Sequence, residues 1–124
     1  MPIKKILVVD DSPTERHVLS ELLTKNGFHI ITAESGEQAI TVAKEQLPDL
    51  ILMDVVLPGM NGFQATRTIS REPSTQHIPV IMCTTKDQET DKIWGERQGA
   101  KGYVIKPVEE AILIDTINPF LPKK

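Results

Sequence analysis

Short apolar runs alternate along this chain with longer segments in which apolar residues recur every three or four positions. A short apolar run bounded by turn-forming residues is typical of a strand buried on both faces, and the longer period is typical of an amphipathic helix. The alternation occurs five times and predicts an α/β fold, a doubly wound five-stranded parallel sheet with helices on both faces. The predicted strands are residues 3–9, 28–33, 49–54, 78–83 and 102–105.

Helix boundaries are marked by capping residues. Ser12 is a predicted N-cap, Pro13 occupies the first helical position, and Glu15 stands three residues after Ser12, where it would complete a capping box. Asn26 and Gly27 end this first helix. Similar signals predict further helices at residues 35–47, 61–72, 87–98 and 108–117.

Length and composition limit the function classes. A chain of 124 residues suffices for one domain, so we expect a single domain and a monomer, with no linker and no output domain. The net charge of −3 gives no reason to expect nucleic acid or an acidic membrane surface as a partner. Cys83, in an apolar run, is expected to be a buried thiol, and Lys123–Lys124 a frayed tail. The sequence shows no signal peptide and no apolar stretch of membrane-spanning length, which points to the cytoplasm.

Polar side chains follow four of the five predicted strands. Asp10 and Asp11 follow the first strand, Asp54 the third, Thr84 the fourth and Lys106 the fifth. Because parallel strands place their carboxyl ends at one edge of a sheet, we expect these side chains to converge there, where such sheets bind ligands. Asp54 alone could simply cap a turn, but the repetition at four strand ends predicts a shared site.

The residue types in this set favour phosphoryl transfer. Three neighbouring carboxylates repel each other unless a cation neutralises them, and their oxygens suit a hard divalent ion such as Mg²⁺. Asp54 would be the nucleophile toward phosphorus, because the metal offsets its repulsion from a phosphoryl group. Lys106 would neutralise the phosphoryl oxygens, and the Thr84 hydroxyl would donate a hydrogen bond to one of them.

These residues resemble the CheY-like receiver domain of bacterial response regulators over essentially the whole chain. The resemblance is carried by Asp10-Asp11, by Asp54 with Pro58-Gly59 and Gly62 after it, by Thr84, and by residues 102–107. It implies the flavodoxin-like strand order 2-1-3-4-5 and a phosphoryl group passed to Asp54 by a histidine kinase. We expect Asp10, Asp11, Asp54 and the Val56 backbone carbonyl to hold Mg²⁺.

Two further features follow from the turn chemistry and the same resemblance. Lys106 must return sharply toward the site from the end of a strand, and a cis Lys106–Pro107 bond makes such a turn. Thr84 and Tyr103 are expected to form a switch. A new dianion at Asp54 would draw the Thr84 hydroxyl inward, and the ring of Tyr103 could then rotate into the space that opens.

Three surface segments carry a narrower resemblance. Residues 11–15, 61–67 and 84–95 look like those of the PilH-type single-domain regulators of type IV pilus twitching motility. The sibling PilG type remains open on the sequence alone. This likeness implies a histidine kinase of the chemotaxis type and an output through protein contact, with either an activating or a phosphate-draining role.

Two other function classes compete with this interpretation. A haloacid-dehalogenase-like phosphohydrolase also uses a strand-end aspartate, a Thr, a Lys and Mg²⁺, but it needs a second aspartate two residues later as general acid, where this chain has Val56. The other is a receiver that binds partners without phosphorylation, although every acceptor-site residue is present here. We therefore expect a signalling protein that is not an enzyme.

Overall fold

Five strands alternate with five helices in a computed structural model that describes residues 4–121. The expected Lys123–Lys124 tail and the first residue of the predicted first strand, Ile3, lie outside the described residues. The strands are β1 (Lys5–Val9), β2 (His29–Ala33), β3 (Leu50–Met53), β4 (Val80–Thr84) and β5 (Gly102–Ile105). The helices are α1 (Pro13–Lys25), α2 (Gly36–Gln46), α3 (Gly62–Arg71), α4 (Glu89–Arg97) and α5 (Glu110–Ile117), followed by a short 3₁₀ helix (Asn118–Phe120).

All strand pairs of the sheet are parallel, and the strand order is β2-β1-β3-β4-β5, which confirms the predicted fold. The register sets Val9 of β1 beside Met53 of β3, and Met53 beside Met82 of β4. Asp10 and Asp54 each follow directly after the paired residues Val9 and Met53. The register therefore brings their carboxylates to the same level at one edge of the sheet.

Helices cover both faces of the sheet. Ile6 and Val8 of β1 face one hydrophobic cluster, which includes α1 and α5, while Leu7 and Val9 face the other, which includes α2 and α3. Every residue of β3 and β4 is buried. Because the central strands have no solvent-exposed face, their interiors must be apolar, and polar side chains are confined to the strand ends.

The start of α1 differs from the sequence prediction in one respect. Ser12 is the N-cap, and its hydroxyl accepts a hydrogen bond from the Glu15 amide at 3.3 Å, as expected. The Ser12 amide, however, donates to Oδ1 of Asp10 at 3.0 Å, so it does not receive the Glu15 carboxylate as a capping box requires. Only one of the two hydrogen bonds of the capping box forms, because the Asp10 carboxylate occupies the Ser12 amide that the second one requires. In α3 the box between Asn61 and Gln64 is complete.

Cys83 is buried in the sheet, as predicted, with 2% of its surface exposed. Burial raises the pKa of its thiol to about 12, so it stays protonated and unreactive at neutral pH. Among the helices of residues 4–121, none has the length and apolar character needed to cross a membrane.

Gly62 offers a test of the backbone packing behind the site. A Cβ at this position would lie 2.0 Å from the backbone oxygen of Asp54 and 2.9 Å from Cα of Val55. We expect Gly62→Ala to lower the free energy of unfolding by about 1–3 kcal/mol, because rigid backbone would have to move. Urea unfolding followed by circular dichroism measures this change.

Gly95→Ala in α4 is the matched control. There the new Cβ would meet only side chains, the nearest at an ordinary contact distance of 3.4 Å, and alanine is the better helix former. This variant should be as stable as the parent chain or more so. Equal stability of the Gly62 and Gly95 variants would show that the predicted clash is wrong.

Candidate functional site

Asp54 is the first residue after β3, and both its backbone amide and its side-chain carboxylate are hydrogen-bonded. Its amide donates to the carbonyl of Val9 at 3.1 Å, and its carboxylate Oδ1 accepts from the Val56 amide at 3.2 Å. The residue is buried, and this burial raises the pKa of its carboxyl above the ordinary value. The charge of Lys106, the Thr84 hydroxyl and the Val56 amide oppose the rise.

Asp10 and Asp11 follow β1 and differ in exposure. Asp10 is 2% exposed, and its carbonyl accepts a hydrogen bond from the Arg16 guanidinium at 2.8 Å. Asp11 is exposed to solvent. One carboxylate oxygen from each of Asp10, Asp11 and Asp54 lies within 4.8 Å of the others. The three predicted carboxylates are therefore brought together, with one of them open to water.

Lys106 places a positive charge among these carboxylates. Its Nζ donates to Oδ2 of Asp10 and, at 3.2 Å, to Oδ2 of Asp54, while Oε1 of Glu15 lies 3.5 Å away. Burial alone would lower the pKa of this ammonium, but the hydrogen bond to Asp10 and the charges of Asp54 and Asp10 raise it above its usual value. Lys106 is therefore protonated at neutral pH. The bond to Pro107 is cis, the isomer expected from the sequence.

Thr84 and Tyr103 both contact the same segment of backbone. The side chain of Thr84 is fully buried at the end of β4, and its hydroxyl accepts from the Lys86 amide at 3.3 Å. The Tyr103 hydroxyl donates to the Lys86 carbonyl at 2.7 Å. Burial and the nearby charges of Asp91, Asp54 and Asp87 raise the pKa of Tyr103 to about 12. The loop after β4 thus joins the two predicted switch residues, although the switching itself stays a prediction.

The donor set fits a hard divalent cation. Three carboxylates face one ammonium here, so the site carries surplus negative charge that a divalent ion would offset, and all the candidate ligands are oxygen atoms. Asp11 provides the exposed side through which a partly hydrated ion such as Mg²⁺ would enter. The Val56 amide donates a hydrogen bond to the Asp54 carboxylate. The role of the Val56 carbonyl as a metal ligand stays a prediction.

Two residues of this site were not predicted from the sequence. Glu15 was assigned to helix capping, yet its carboxylate lies near Lys106; Arg16, in the same first turn of α1, supports the Asp10 backbone. The only signal in the sequence was their position directly after the Asp10-Asp11 pair. The role of Glu15 depends on the Ser12 amide being occupied by Asp10, and the residue pattern does not record this.

The sequence matches a known family. Residues 6–118 match the family model described as the response regulator receiver domain. Protein PilH from Pseudomonas aeruginosa PAO1 is 53% identical over 117 residues, which cover 94% of this chain and 97% of that protein.

Solved structures agree with this match. The chemotaxis protein CheY4 of Vibrio cholerae is 31% identical and superimposes with a TM-score of 0.90, covering 97% of this chain and 100% of that one. The receiver domain of the sensor histidine kinase PA1611 from P. aeruginosa, which has a magnesium ion coordinated in its active site cleft, is 31% identical with a TM-score of 0.85, covering 92% and 93% of the two chains. This chain therefore belongs to the response regulator receiver domain family.

Proposed function

We propose that the chain is a phospho-acceptor switch in which Asp54 receives a phosphoryl group from a histidine kinase. The observation that carries the proposal is the Lys106 ammonium, which touches both Asp10 and Asp54 beside a third carboxylate. Asp10, Asp11, Asp54 and the Val56 carbonyl would hold Mg²⁺. The magnesium in the related PA1611 receiver domain supports this choice of metal.

The proposed transfer uses the groups that already surround Asp54. A carboxylate oxygen of Asp54 forms a bond to phosphorus as the bond from phosphorus to the donor's histidine nitrogen breaks, and the imidazole leaves. Lys106 moves its ammonium from the carboxylates toward the phosphoryl oxygens, and the Thr84 hydroxyl donates to one of them. Bound Mg²⁺ would supply positive charge that reduces the repulsion between carboxylate and phosphoryl group.

A feature two residues after Asp54 weighs against the phosphohydrolase alternative. Val56 is 53% exposed and has no group that could protonate a leaving group or activate water. Without that acid, the phosphorylated aspartate would persist as a signal and would not turn over as in a hydrolase. We accordingly propose a signalling role without enzymatic turnover.

The biological setting is proposed from the likeness to PilH. At 53% identity across nearly the full length of both chains, this likeness supports a role in type IV pilus twitching motility. We propose a kinase of the chemotaxis type as donor and protein contact as the output.

The acceptor assignment is tested by replacing Asp54 with Asn. The change keeps the size of the side chain and removes the nucleophilic carboxylate, so Asp54→Asn should lose the acid-labile, Mg²⁺-dependent phosphoryl group that the parent chain acquires from acetyl phosphate. Intact-mass spectrometry measures the labelled fraction. Asp49→Asn, at the opposite end of β3, is the matched control and should label like the parent. Full labelling of Asp54→Asn would contradict the assignment, and many turnovers per chain would favour the hydrolase.

The Lys86 backbone suggests how phosphorylation would reach the surface. If the Thr84 hydroxyl moves to the phosphoryl group, the Lys86 amide loses its partner, and the loop that holds the Tyr103 hydroxyl can rearrange. The Tyr103 ring would then rotate and change the surface formed by α4 and β5.

Fluorotyrosine labelling tests this coupling at a single position, because Tyr103 is the only tyrosine in the chain. The ¹⁹F resonance should shift when acetyl phosphate or beryllofluoride with Mg²⁺ is added to the parent, and Thr84→Ala should lose most of the shift while still accepting phosphate. Thr85→Ala, at the exposed neighbouring position, should behave like the parent. A full shift in phosphorylated Thr84→Ala would show that the coupling does not run through this hydroxyl.

A further inference from the structure

Glu15 places a fourth carboxylate at the mouth of the site. Its Oε1 lies 3.5 Å from the Lys106 ammonium, and its side chain is 48% exposed whereas that of Lys106 is 8% exposed. The capping role expected of Glu15 is blocked because Asp10 has taken the Ser12 amide. The local hydrogen bonding thus leaves the Glu15 side chain free to extend to Lys106.

The charge of Glu15 exceeds what the cations of the proposed acceptor site can balance. The two charges of Mg²⁺ and the one of Lys106 would balance Asp10, Asp11 and Asp54. Glu15 does not belong to that carboxylate cluster, so it leaves one surplus negative charge where a phosphodonor must enter. The Glu15 carboxylate also partly neutralises the Lys106 ammonium, which would otherwise attract the incoming phosphoryl oxygens.

We propose that Glu15 is a specificity-determining residue that disfavours small anionic phosphodonors. This inference rests on the proposed function of Asp54. A small anionic donor brings no positive charge of its own to the Glu15 carboxylate, whereas a donor protein with a Lys or Arg beside its phosphohistidine can pair with it. Glu15 thereby selects against small anionic donors at Asp54.

Two small donors of different charge separate this effect from a general change at the site. Acetyl phosphate is a dianion near neutral pH; Asp54 forms a bond to its phosphorus as the bond to the acyl oxygen breaks, and acetate leaves with the electron pair. Phosphoramidate is a monoanion with a protonated nitrogen; the bond from phosphorus to nitrogen breaks, and ammonia leaves. Because Coulomb energy scales with donor charge, Glu15 should slow acetyl phosphate more than phosphoramidate.

The experiment measures the rate of phosphoryl incorporation at saturating Mg²⁺ with each donor, by intact mass. Glu15→Gln should accelerate labelling by acetyl phosphate about 3- to 10-fold, and labelling by phosphoramidate by about the square root of that factor, because the donor charge is halved. The acceleration should shrink as salt is raised toward about 1 M, where charges are screened within about 3 Å. Glu15→Asp, which keeps the charge but withdraws it from Lys106, should give an intermediate rate.

Glu21→Gln is the matched control, since Glu21 lies on the same helix, is 71% exposed and contacts His17 rather than Lys106. It should label at the parent rate with both donors. Equal rates for the parent and Glu15→Gln, or an acceleration that is the same for both donors and independent of salt, would overturn the specificity role while leaving the acceptor role of Asp54 standing. If no variant is labelled by either donor, both proposals are wrong.

Discussion

The site depends on one ammonium group held between two buried carboxylates. Asp10 and Asp54 lie at adjacent strand ends with little access to water, and Lys106, directly after β5, contacts both of them. Burying a carboxylate without a partner costs several kcal/mol, so this lysine makes the arrangement possible. The parallel strand order does the rest, because it brings the ends of β1, β3 and β5 to one edge, where the apolar strand interiors give way to polar residues.

The Lys106 ammonium alone does not neutralise the carboxylates of the site. The remaining negative charge explains why the proposed chemistry needs a divalent cation. Three carboxylates cluster at the sheet edge, one ammonium contacts two of them, and burial disfavours the ionised form of Asp54. A site of this kind gains from a cation and from any change that redistributes charge around Lys106. Phosphorylation would be such a change. The hydrogen bonds of Thr84 and Tyr103 to Lys86 offer it a short route to the surface.

Much of this arrangement could be predicted from the residue pattern. The alternation of apolar runs predicts a parallel sheet, and the polar residues at four of the five strand ends predict the edge where Asp54, Thr84 and Lys106 meet. The strand order could not be predicted from the alternation, which is compatible with several orders. Only the family resemblance selected the order that the structure has. Apolar character alone does not separate Val18, which is 52% exposed, from the adjacent buried Leu19, since the position of the sheet decides which side of α1 is covered. The contact between Glu15 and Lys106 was missed because it depends on a competition for the Ser12 amide.

The acceptor role of Asp54 is tested most directly by identifying the phosphorylated residue chemically. Borohydride reduction of the chain after treatment with acetyl phosphate and Mg²⁺ converts an aspartyl phosphate to homoserine, and peptide mass spectrometry then locates it. Homoserine is expected at position 54, with Asp10 and Asp11 unchanged. Homoserine at position 10 or 11, or phosphate retained on a serine, threonine or histidine, would contradict the central claim that this sheet edge presents Asp54 as the phosphoryl acceptor.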